Sequence, residues 1–149
     1  MSISLSWSSE YETGIDIIDS QHKQLFDYLD QVELTIASQN SAQVEEIARG
    51  LIHYAISHNT FEESLMKQAG YPMLEAHAQV HESFKERAHG YIRQLDEGQD
   101  PMRVARDIRT HIGLWLINHI KREDRHYVPY VKKKLDRGFA SRMISRIFG

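Results

Sequence analysis

Apolar residues return every three or four positions along most of this chain, the spacing that builds one face of a helix. Ile18, Leu25, Phe26, Leu29, Val32 and Ile36 form the first stripe, with His22 on the same face. This predicts a helix from Asp19 to near Ser38. Asn40 or Ser41 can cap a second helix, whose seam reads Val44, Ile47, Leu51, Tyr54, His58, Phe61 and Leu65. Gly70 suits its C-terminal cap, and Pro72 cannot continue it. A third helix is expected from about Met73 to Glu97, with Leu74, His77, His81, Phe84, Ala88, Tyr91 and Leu95 inward. Asp100-Pro101 opens a fourth, carrying Val104, Ile108, Ile112, Trp115 and His119 inward, and Pro129 should bend or end it.

Four amphipathic segments joined by short loops predict an all-α, up-down-up-down four-helix bundle. No strand-like alternation or internal repeat competes with it. Residues 1 to about 18 read as an irregular segment, with Trp7, Tyr11, Ile15 and Ile17 available to cover one end. Beyond Pro129, Phe139, Ala140, Met143, Ile144, Ile147 and Phe148 keep helical spacing around Arg142 and Arg146. That pattern describes a short basic amphipathic C-terminal helix. The organisation expected is a bundle over 1–131 and an extension over 132–149.

Composition narrows the classes. At 149 residues the chain can bury a core without disulfide staples, and it has no cysteine. Thiolate zinc sites, iron–sulfur clusters and haem attached through Cys-x-x-Cys-His are excluded. The N-terminal stretch has neither a basic start nor an apolar core, and no apolar run is long enough to span a bilayer, so a cytoplasmic protein is expected. The net charge of −3 is unevenly spread. From Lys132 onward six basic residues meet the single acid Asp136, leaving 12 basic and 20 acidic groups in the body. An acidic body argues against nucleic acid as a partner. The basic tail can dock on the bundle itself, a dimer mate, a partner protein or anionic lipid.

The polar residues on the inner stripes need a reason to be there. His22, His58, His77, His81 and His119 all fall where the pattern calls for a buried side chain. Each buried imidazole without a partner would cost roughly 1–3 kcal/mol. A shared metal removes that cost, and neutral imidazole suits iron, copper, zinc or nickel. Glu62, four after His58, adds a carboxylate on the same face, and His77 and His81 share a face for the same reason. Glu86-x-x-His89 and Glu123-x-x-His126 are motifs of the kind used by ferritin-like oxidases. Glu86, however, lies about 140° round the helix from His81. His53, His89, His111 and His126 are expected to be non-ligand histidines.

The motifs Gln21-His22, His58-x-x-x-Glu62, His77-x-x-x-His81 and His119-x-x-x-x-Asp124 give the chain its resemblance to the hemerythrins, and to their single-domain bacterial members, over roughly residues 7 to 130. Trp7, Tyr11, Gly14-Ile15, Ile18-Asp19, Leu25-Phe26, Glu62-Glu63, Met66 and Tyr71-Pro72 match as well. The resemblance implies a non-haem di-iron centre (Fe2+/Fe3+) with an oxo or hydroxo bridge, binding dioxygen reversibly for storage, delivery or sensing. It implies that His77, His81 and His119 hold one iron and His22 and His58 the other, with Glu62 and Asp124 bridging. The second iron, with fewer protein ligands, then keeps a position for O2, and Trp115, Leu116 and Phe61 line the O2 pocket. A binding protein rather than an enzyme is expected, as a monomer or homo-oligomer. The alternatives are an enzyme acting on peroxide or nitric oxide, and an iron-binding or redox-sensing module.

Two positions sit awkwardly in this pattern. Asp124 is five residues after His119, about 140° off the ligand face of an ideal helix, and enters on the family motif alone. Relatives place an aromatic residue directly after the second-helix histidine, where this chain has Asn59. Either Phe61 fills that volume from another angle, or the pocket is more polar and oxidises more readily.

Overall fold

The computed structural model describes residues 6–134 and Ile147. Helix α1 spans Asp16–Ala37, α2 Ser41–Ala69 and α3 Leu74–Asp96. The fourth column is α4, Pro101–Asp107, then a π-helical turn Ile108–Ile112, then α5, Gly113–Lys121, and finally α6, Glu123–Lys134. These columns form a helical bundle, with α2 packed against α1, α3, α4 and α6. Among the described residues no helix is long and apolar enough to cross a membrane.

The caps explain the boundaries. The Asn40 side chain accepts from Gln43 N at 3.0 Å, and the Asp100 side chain accepts from Met102 N at 3.2 Å ahead of Pro101. Gly70 adopts a left-handed φ of 70° and ends α2. Helix α1 starts three residues earlier than its apolar stripe suggests. Thr13 N, Thr13 Oγ1 and Gly14 N all donate to the Asp19 carboxylate, which organises the entry to the helix. Before it, Trp7 and Tyr11 pack with Phe26 and Ile120.

Two corrections concern the fourth column. It is not one regular helix, because the π turn precedes Trp115 and a break follows Lys121, where Arg122 takes φ −113° and ψ −68°. Nor does Pro129 end it, since α6 runs on to Lys134. Apart from Ile147, the C-terminal amphipathic segment and its docking roles lie outside the described residues.

Beside the small cluster of Tyr11, Phe26 and Ile120, two larger apolar clusters fill the interior. The larger joins Leu25, Leu29 and Val32 of α1 to Leu51 and Ala55 of α2, Phe84 of α3, and Ile108, Ile112 and Leu116. The other gathers Ile15, Ile18, Phe61, Leu65, Tyr71 and Tyr127, with Ile147 partly buried against it. Several inward polar residues fall between these clusters along their columns: His22 between Ile18 and Leu25, His58 between Ala55 and Phe61, and His119 and Asp124 between Leu116 and Tyr127. The bundle thus carries one polar layer enclosed above and below by hydrocarbon.

Candidate metal centre

Each residue of the polar layer is placed there by its helix. His22 comes from α1, His58 and Glu62 from successive turns of α2, His77 and His81 from successive turns of α3, and His119 from the last turn of α5. Asp124 lies in the first turn of α6, beyond the break at Arg122. That break changes the helical phase, so the five-residue spacing no longer turns Asp124 away from His119. All seven side chains are buried, none more than 5% exposed.

They form two overlapping groups. One ligand-type atom each from Glu62, His77, His81, His119 and Asp124 lies within 4.8 Å of all the others, and the same holds for His22, His58, Glu62 and Asp124. The carboxylates belong to both. Asp124 directs Oδ2 toward His22 Nε2 at 3.2 Å, and Oδ1 toward His119 Nε2 at 3.0 Å and His77 Nε2 at 3.3 Å. Glu62 directs Oε2 toward His22 Nε2 at 3.6 Å, and Oε1 toward His58 and His81 Nε2 at 3.4 and 3.6 Å.

The surrounding hydrogen bonds set the histidine tautomers. His58 Nδ1–H donates to Gln21 Oε1 at 2.6 Å, and His81 Nδ1–H donates to Glu63 Oε2 at 2.9 Å. With the proton on Nδ1, each Nε2 turns a lone pair inward, as a metal ligand requires. The Nε2 atoms of His81 and His119 converge to 2.9 Å. His22 Nε2, His77 Nε2, Glu62 Oε1 and both Asp124 oxygens are buried without a hydrogen-bond partner among the described residues. Orphaned donors and acceptors that converge in this way suit a cation, which satisfies them together.

The electrostatics point the same way. Burial alone would lower the His22 imidazole, but Asp124 and Glu62 outweigh it and push it up to about 9. Burial and the Asp124 charge would raise the Glu62 carboxyl, yet His58 and His22 hold it below the usual carboxylate range. Asp124 is likewise held well below that range, because His119, His22 and His77 outweigh its burial. His58, whose largest influence is burial, is lowered. Two buried anions held ionised among imidazoles demand positive charge, as protons or as metal ions.

Tyr127 is a contributor that the sequence reading missed. Its hydroxyl donates to Glu62 Oε2 at 2.5 Å, and burial, reinforced by the Glu62 and Asp124 charges, pushes its phenol well above the ordinary value. Its spacing, three after Asp124, is a same-face signal. Trp115 stacks on His119 with ring centroids 4.4 Å apart and an interplanar angle of 14°, and Leu116 is buried in the larger cluster. Phe61 is fully buried in the other cluster, with Ile18, Leu65 and Tyr127. Asn59, two residues away and so on another side of α2, lines a cleft of about 100 Å³ shared with residues of α3. The lining of that cleft is mainly polar, with Thr60, Glu63, Glu82 and Lys85 beside Ile56. His53, His89, His111 and His126 are exposed, as is Glu86.

A helical bundle with a buried layer of five histidines and two carboxylates defines the class as a metal-binding four-column protein. A family model described as the hemerythrin HHE cation binding domain matches residues 13–131. The chain is 35% identical to a bacteriohemerythrin of Stenotrophomonas maltophilia over 97% of its own length and 98% of that protein. It is 33% identical to a bacteriohemerythrin of Pseudomonas aeruginosa over the same shares, and 27% identical to a myohemerythrin of Theromyzon tessulatum over 81% of this chain and 88% of that one. A solved wild-type hemerythrin structure superposes with a TM-score of 0.72 at 28% identity, covering 87% of this chain and 98% of that one. The chain belongs to the hemerythrin family. Hemerythrins bind dioxygen at non-haem iron, and this protein is an oxygen-binding, metal-binding member of that family.

Proposed function

We propose that two iron ions are held in the polar layer and that the protein carries or senses dioxygen rather than transforming it. His77, His81 and His119 would hold one iron, His22 and His58 the other, with Glu62 and Asp124 shared between them. One observation carries this reading: the two oxygens of Asp124 divide between His22 on one side and His77 and His119 on the other. A carboxylate split in this way suits two cations better than one. When bound, the iron pair supplies the electrons for reversible O2 binding, and an oxo or hydroxo bridge between the irons belongs to the same reading.

The chain's own residues favour binding over turnover. Five neutral imidazoles contribute less negative charge than a carboxylate-rich set would, so they stabilise high oxidation states less. The apolar clusters close the layer to bulk water from above and below. Trp115 and Leu116 would form the O2-facing wall, since both precede His119 on the same column. Phe61 would close the layer from the side of the smaller cluster. The reading places the protein in the cytoplasm, with the bundle over 1–131 as its oxygen-binding unit.

Metal analysis combined with oxygenation spectroscopy tests the proposal. Iron near two per chain and a spectral change that reverses as O2 is removed are expected; irreversible oxidation with peroxide consumption would favour an enzyme. His58→Ala removes one of only two histidines at the O2-binding iron and should abolish oxygenation. A variant that still oxygenates fully would refute the assignment of that iron.

A further inference from the structure

The polar cleft between α2 and α3 ends on a histidine of the cluster. Its volume of about 100 Å³ has room for about three waters at roughly 30 Å³ each, and Asn59, Thr60, Glu63, Lys85 and the His81 ring line it. Among its lining residues, His81 Nδ1–H donates to the Glu63 carboxylate at 2.9 Å. On the other histidine group, His58 Nδ1–H donates to the Gln21 amide oxygen at 2.6 Å. Gln21 is 4% exposed, whereas the Glu63 side chain is 35% exposed in the cleft. Two imidazoles aimed into the same layer are thus held by acceptors of different charge.

That difference has a chemical consequence. An acceptor on the far ring nitrogen draws the Nδ1 proton and makes Nε2 a more basic ligand, and an anionic acceptor does so more strongly than a neutral one. A more basic ligand favours the higher charge on its metal. The Gln21 bond is the shorter of the two, so the ordering rests on the full charge of the carboxylate, partly screened by solvent in the cleft.

We infer that Glu63 is a positioning residue that makes His81 a stronger donor than His58. The Glu63 and Gln21 pair thereby biases the iron of His77, His81 and His119 toward the ferric state relative to the iron of His22 and His58. This rests on the two-iron reading proposed above.

Glu63→Gln isolates the charge, because the amide keeps an acceptor oxygen at the same reach. Midpoint potentials from mediated redox titration and iron affinity from chelator competition are the readouts. The variant is expected to lose iron about tenfold more readily, at the low end of the usual range for such supporting residues. A tenfold loss of ferric over ferrous preference corresponds to a potential raised by about 59 mV for one electron. Gln21→Glu should move the potential in the opposite direction. A Glu63→Gln protein that loads two irons and oxygenates, yet keeps the wild-type potential and affinity, would overturn the inference; so would shifts of the same sign in both variants. Wild-type protein that fails to load two irons would refute the proposed centre itself.

Discussion

At the scale of single residues, Asn59 stands directly after a histidine of the polar layer. It is 4% exposed, beside His58 in the chain, and lines the α2–α3 cleft that reaches His81. A buried amide in a water-sized cleft brings polar groups close to a site that should be dry if bound O2 is to leave unchanged. Asn59→Phe should fill the cleft and slow spontaneous oxidation of the oxygenated protein several-fold, measured as decay of its oxygenated spectrum. An unchanged or faster decay would mean that the cleft does not limit oxidation. The residue was legible in the sequence, but that it lines a cleft shared with α3 depended on how the two helices pack. Residues two apart diverge by about 200° on a helix, and only the packing shows where each one goes.

At the scale of elements, the turn between α2 and α3 sets the register of two ligand pairs. Gly70 holds φ at +70°, and a Cβ added there would meet nothing within 4 Å. The cost of Gly70→Ala is therefore conformational rather than steric, about 1–2 kcal/mol for an L-residue forced into the left-handed region. Urea denaturation should show a loss of that size. Because α2 carries His58 and Glu62 and α3 carries His77 and His81, iron affinity should fall as well. Gly70 and Pro72 announced this turn in the sequence. The break at Arg122 had no such signal. No glycine or proline marks it, so a reading by uniform helical period left Asp124 facing away from its partners.

At the scale of the whole molecule, the polar layer ties stability to pH and to metal. Glu62 and Asp124 are held below their ordinary range, so in chelator-stripped protein they stabilise the fold above the unfolded carboxyl values near 4. That contribution is lost as acid protonates them. His22 is raised from 6.5 to about 9, so its contribution is fully present below 6.5 and disappears as pH rises through about 9. The melting temperature of the stripped protein should fall below about pH 4 as the carboxylates protonate, and from about pH 6.5 to 9 as the His22 contribution is lost. Iron should raise the melting temperature and flatten the alkaline side, because the cation replaces the His22 proton. A flat alkaline profile without metal would refute the assigned role of His22.

The sequence by itself determined the bundle, the three connecting loops and a metal-type set of inward histidines and carboxylates. Amphipathic periods and helix caps are local properties, and burying five histidines on inward stripes is costly unless partners satisfy them. Only the tertiary structure decided how Asp124 divides its oxygens between two histidine groups, that Tyr127 holds Glu62, and that His58 and His81 are supported by acceptors of unlike charge. Those facts join residues 37 and 65 positions apart, and 18 across a turn. No periodicity within one helix encodes the phase between two helices; the packing of the apolar clusters on either side of the layer sets it.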